Sequence, residues 1–100
     1  MIAEIHVAPS PAGTPQDRYA HVDAAIAVIR GSGLHHEVGV LGTTFEGPDD
    51  DVWRVLREAH EAVLRSGADG VITSIRLGAT AVGGPPDELR MEQLTAKHRR

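Results

Sequence analysis

Thr44 and Glu46 stand two residues apart in the run from Gly33 to Gly47, GLHHEVGVLGTTFEG, and alternate with Thr43 and Phe45. In an extended strand, side chains two apart share a face, so a hydroxyl and a carboxylate project together from one side. A core strand carries apolar residues at such positions, and this pair instead suits recognition of a polar or cationic small molecule. A carboxylate in a partly desolvated cleft makes charge-assisted hydrogen bonds about twice as strong as neutral ones. Glu46 is therefore the expected anchor and Thr44 a supporting contact. Glu4, His6 and Glu37 fall on the same inferred face and would make its lining acidic, although for His6 a plain solvated or interface role is favoured. Thr43 adds a second hydroxyl that ordinary strand propensity explains equally well. Ser10 follows the first strand, where a pocket rim can lie, and the Tyr19 ring can close a pocket; turn and core-packing roles are the simpler explanations for these two.

Other chemistries find less support. His35 and His36 are adjacent on a strand and point to opposite faces, and His60-Glu61 lacks the second histidine of a HExxH zinc site. No metal site is expected. Neither a Walker loop nor a dinucleotide fingerprint is present, so no cofactor is expected, and no serine–histidine–acid arrangement points to a nucleophile. With a net charge of −4 and only Tyr19, Phe45 and Trp53 as aromatics, the chain lacks the basic, stacking surface of a nucleic-acid binder. No apolar run approaches the ~18–20 residues of a membrane span, and Met1–Val7 does not read as a secretory signal. The absence of cysteine fits a cytoplasmic location.

The elements that must position Glu46 follow from periodicity. Ala3, Ile5 and Val7 alternate with Glu4 and His6 in a first strand, and PSPAG is a loop. Thr14 is the expected N-cap of a helix with Pro15 at its first position and a stripe of Tyr19, Val22, Ile26 and Ile29, ending near Gly31 or Gly33. Leu34–Leu41 alternates as a second strand, with Leu34, His36, Val38 and Val40 on one side. Thr43–Glu46 is the third strand. The second helix starts at GPDDD, capped by Gly47 or Asp49, and buries Val52, Leu56, Ala59 and Val63, with Trp53 off that stripe. Val71–Leu77 is the last strand.

This order predicts an α+β, ferredoxin-like βαββαβ sandwich: an antiparallel four-stranded sheet with two helices on one face, because right-handed crossovers put both helices on the same side. The other face is left bare, carrying Glu4, His6, His35, Glu37, Thr44, Glu46, Ser74 and Arg76 with Ile2, Leu41 and Ile72. Pairing two such faces in a homodimer or homotetramer would cover it. Residues 1–78 form the expected domain. Residues 79–100 read as a linker and a short helix or arm between Asp87 and Lys97, partly apolar at Leu89, Met91 and Leu94.

Taken together, MIAEIHVAPSPAGT, YAHVDAAIAVIRGSGL, LGTTFEGP, the AHEA helix and VITSIRL resemble the small thiamine-binding proteins of the YkoF-like superfamily, collinearly from residue 1 to about 77. GTTFEG is similar to that family's G-T-x-x-E-G signature. The resemblance implies ferredoxin-like subunits, sheet-to-sheet dimers that pair into tetramers, and a site between subunits for thiamine or its pyrimidine portion, bound without being transformed. His36 departs from a tyrosine frequent in the family, and the tail after Leu77 exceeds its minimal length. A small ferredoxin-like dimeric enzyme of oxygenase or isomerase type, or an interaction subunit with no small ligand, are the alternatives.

Overall fold

The computed structural model describes residues 1–81 and 91–96. Within them the chain runs β1 (Ile2–Ser10), α1 (Ala20–Gly31), β2 (His35–Val38), β3 (Thr43–Glu46), α2 (Asp49–Arg65), β4 (Gly70–Gly78) and α3 (Met91–Ala96). The four strands make one antiparallel sheet in the order β2–β3–β1–β4. This is the ferredoxin-like α+β arrangement that the alternation predicts.

Alternation along β1 decides the two faces. Ala3, Ile5 and Val7 are buried beneath the helices with Phe45 and Thr43 of β3, whereas Glu4 and His6 point the other way. Phe45 is fully buried and faces Ala3 across the ladder, a large residue against a small one. Ala25 and Ile29 of α1 meet Val52, Val55, Leu56, Ala59 and Val63 of α2 in the same core. Fully burying each large aliphatic side chain contributes about 1.5–3 kcal/mol relative to leaving it exposed.

The second helix begins as its acids require. Asp49, Asp50 and Asp51 occupy its first turn and Arg65 its last, in the sense favoured by the helix dipole. The cap position itself belongs to Pro48, with no side-chain capping bond, rather than to Gly47 or Asp49. Proline's fixed φ leads into the helix, and the acids supply charge from inside the first turn. On the exposed side Arg57 Nε donates to Glu61 Oε1 at 2.9 Å and Arg65 lies 3.4 Å from Glu61 Oε2. The Arg57 hydrogen bond outweighs desolvation and, with lesser help from the charges of Arg57 and Arg65, holds the Glu61 carboxyl below the usual glutamate range.

Two local expectations are corrected. Thr14 does not cap α1: Asp17 N donates to Thr14 Oγ1 at 3.0 Å, and Tyr19 N donates to Asp17 Oδ1 at 3.3 Å, forming a polar turn that delays the helix to Ala20. Threonine and aspartate side chains compete for nearby backbone donors in this way. Tyr19 consequently precedes the helix and is 56% exposed instead of opening the buried stripe. The buried residues of α1 are His21, Ala25 and Ile29. His21 is tolerated there because its ring has a partner: Ser66 donates its hydroxyl to the Val63 carbonyl at 2.7 Å, so His21 Nδ1–H donates to Ser66 Oγ at 2.7 Å.

The second correction concerns β2, which ends at Val38 rather than Leu41. Gly39 N–H donates to the Gly42 carbonyl at 2.8 Å and closes a tight turn, leaving Val40 and Leu41 exposed at its tip instead of on the two sheet faces. A Cβ on Gly39 would lie 2.9 Å from that carbonyl oxygen, so the closure depends on glycine.

In the tail, Met91–Ala96 is helical and lies against the sheet face opposite α1 and α2. The rest of the expected helix, Asp87–Arg90 with Leu89, and Lys97, lies outside the described residues.

Candidate functional site

The strand register places the polar residues in rows. Glu37 of β2, Thr44 of β3, Glu4 of β1 and Arg76 of β4 are successive cross-strand partners, a line across the whole sheet. The next row is His35, Glu46, Ile2 and Gly78. Directly opposed side chains have Cβ atoms about 4.5–5.5 Å apart, and rows on one face are about 6.7 Å apart along a strand. Three carboxylates, a threonine hydroxyl, a histidine and an arginine therefore crowd one patch. Arg76 opposes Glu4, not Glu46.

α3 sits on this patch. The backbone N–H of Met91 donates to Glu46 Oε2 at 2.8 Å, and Met91 is buried to 7% exposure. Glu46 thus neither caps α2 nor pairs with Arg76; its carboxylate holds the tail. Leu94, one turn on, overhangs a cleft of about 350 Å³ lined also by Ile2, Glu4, Thr44, Arg76 and Leu77. A second cleft of about 390 Å³ lies toward the other edge, between Met91, Glu92 and Thr95 of α3 and His35, His36 and Glu37 of β2. Glu46, Thr44, Glu4 and Glu37 are therefore brought together, with α3 among them. Arg76 completes the patch, and Met91 and Leu94 lie over it. The sequence signal for the last two is their i, i+3 spacing in the tail.

The remaining candidates lie elsewhere. Thr43 is buried on the helix side and, with Tyr19 and Ile26, lines a separate cavity of about 220 Å³ beside α1 and the β2–β3 turn. His6 projects from the open face, opposite Ser74, and is exposed. Ser10 pairs with Gly70 at the end of β1, and its carbonyl accepts the Asp69 N–H at 2.9 Å. It stands eight positions along the strand from Ile2, roughly 26 Å at the usual rise. Trp53 is half-exposed and lines a shallow groove with Leu56, Arg57, Ile75 and His60, whose Nδ1 lies 2.7 Å from Thr73 Oγ1.

The groups on this patch can take up N–H donors and cations. Carboxylates accept from N–H groups and attract cations, while Thr44 can donate or accept. Among the described residues no group of three or more histidine, cysteine or acidic side chains is placed to hold a metal ion, and no helix is long and apolar enough to cross a membrane.

Comparison with known proteins bears on the family and the fold. A UPF0045 protein of Clostridium perfringens is 33% identical over 70 residues, spanning 70% of this chain and 74% of its own length. A solved Bacillus cereus domain of unknown function is 32% identical, with a TM-score of 0.80 over 98% of this chain and 88% of that one. A Thermotoga maritima protein proposed for thiamine biosynthesis or salvage shares the fold at 23% identity, with a TM-score of 0.77 over 98% of this chain and 97% of that one. The profile of the thiamine-binding proteins matches residues 3–93, from β1 through α1, β2, β3, α2 and β4 to the start of α3. By that match and by relatives at a third identity, the chain belongs to the thiamine-binding protein family.

Proposed function

We propose that the protein binds thiamine, or its hydroxymethylpyrimidine portion, on the open sheet face around Glu46 and releases it unchanged, as a carrier, buffer or sensor. One observation carries the reading: the Glu46 carboxylate, beside Thr44 and Glu4, already accepts an N–H at 2.8 Å. An aminopyrimidine presents the same donor, and the thiazolium of thiamine adds a fixed positive charge that Glu4 and Glu37 attract. Family membership supports the choice of ligand.

The far wall would come from a second copy. Ile72 is largely exposed on the same face, and a homodimer or homotetramer built through that face would cover it. Light scattering at micromolar concentration should show an oligomer, and a monomer would remove the second wall from the reading. The cell's cytoplasm is the expected setting.

Isothermal titration with thiamine, its phosphates and hydroxymethylpyrimidine tests the binding itself. Saturable binding of at least one, with the ligand recovered chemically intact, is the expected result. No binding by folded protein refutes the proposal. Glu46→Gln should weaken binding at least about tenfold, since a hydrogen bond to a charged group is worth about 1.5–3 kcal/mol. Unchanged affinity would take the anchor role away from Glu46.

A further inference from the structure

Glu46 already carries an occupant, α3. The described part of α3, Met91–Ala96, is six residues, a length that does not hold helical form alone in water. What secures it is docking: the buried Met91 side chain, the Met91 N–H on Glu46 Oε2, and Leu94 over the row of Thr44, Glu4 and Arg76. A planar heterocycle hydrogen-bonded to Glu46 and lying toward Thr44 would need the volume that Met91 and Leu94 fill.

We propose that α3 is an intrachain competitor for the Glu46 site: the tail docks when the site is empty and must leave when ligand binds. The inference rests on the binding site proposed above and adds its regulation. The physical logic is displacement of like by like. A backbone N–H donor on a carboxylate is exchanged for a ligand N–H donor on the same carboxylate, so the polar contact is conserved and release of α3 is cheap. Apparent affinity is then the intrinsic affinity scaled by the fraction of chains with α3 undocked. Ligand binding would correspondingly free the tail, which turns occupancy of the site into a change of exposed surface.

The full-length chain provides the test. The Met91 N–H bonds Glu46 rather than a carbonyl of its own helix, so Met91→Pro deletes the competing donor without removing an intrahelical hydrogen bond. Met91→Leu keeps both the N–H and an apolar side chain. Hydroxymethylpyrimidine and thiamine are titrated into the parent and both variants, each verified as folded by its thermal transition. The expected result is about tenfold tighter binding by Met91→Pro, with Met91→Leu within about threefold of the parent. If all three bind alike, or Met91→Pro binds more weakly, the competition is overturned while the binding site stands. If none binds, both fall. A second readout needs no variant. The Met91 amide of the parent chain, followed by NMR hydrogen exchange, should be protected without ligand and lose protection at saturation. Protection retained in the saturated protein overturns the proposal.

Discussion

Phe45 and Thr44 are neighbours on β3 that should fail in opposite ways when altered. Phe45 is fully buried between the sheet and the helices, and its opposite number on β1 is Ala3, too small to fill a vacated ring volume. In Phe45→Ala the lost transfer free energy is about 1.5–3 kcal/mol. The unfilled cavity brings the total to about 3–5 kcal/mol. A domain of this size has about 5–15 kcal/mol in all. At roughly 4 °C or more per kcal/mol, the melting temperature should drop by about 12 °C or more. Thr44→Val changes the other face of the same strand and should move stability by no more than about 1 kcal/mol. It should nevertheless weaken binding of hydroxymethylpyrimidine several-fold, because the hydroxyl beside Glu46 is lost. Thermal unfolding followed by circular dichroism, with titration of each folded variant, reads both effects. Equal destabilisation by the two substitutions, or a loss below about 1.5 kcal/mol for Phe45→Ala, would refute the assignment of faces on which the site depends.

Glu61 gives a prediction with a defined pH sign. Because its folded-state carboxyl is held low, chiefly by the Arg57 hydrogen bond, its contribution is present above the ordinary glutamate range and lost as pH falls through the lowered value. Glu61→Gln should therefore be less stable than the parent at neutral pH and indistinguishable from it in strong acid, with the neutral-pH difference shrinking in high salt. Urea midpoints at both pH values check this. Gly31 and Gly33 should respond oppositely to alanine. Gly31 ends α1 with open space at its Cβ position, so Gly31→Ala should stabilise by about 0.5–1 kcal/mol. Gly33 sits past the helix at φ 76°, where Gly33→Ala should cost about 1 kcal/mol. Denaturant titration separates the two signs.

Much of the architecture could be read from residue order. Ala3, Ile5 and Val7 alternate strictly, and Val52, Leu56, Ala59 and Val63 recur at helical spacing. Such patterns are local, and the handedness of crossovers turns them into a sheet with both helices on one side. Departures came where local competition outran pattern. Thr14 and Asp17 had each other to bond with, so they made a turn. Gly39 and Gly42 closed a hairpin earlier than alternation alone suggests. His21 reads as a polar residue in the sequence, and its burial depends on a partner, Ser66, 45 residues away.

The chemistry divides along the same line. By itself the sequence determined that Thr44 and Glu46 share a face and that Thr43 and Phe45 share the other, because a strand's period of two admits no alternative. Only the tertiary structure decided their company. Register set Arg76 against Glu4 rather than Glu46, gathered Glu37, Thr44 and Glu4 into one row, and left Ser10 and Tyr19 apart from them. It also laid the tail on Glu46, a contact across 45 residues of chain. A carboxylate accepts any suitably aimed N–H, and which one reaches it depends on how the chain returns over the sheet.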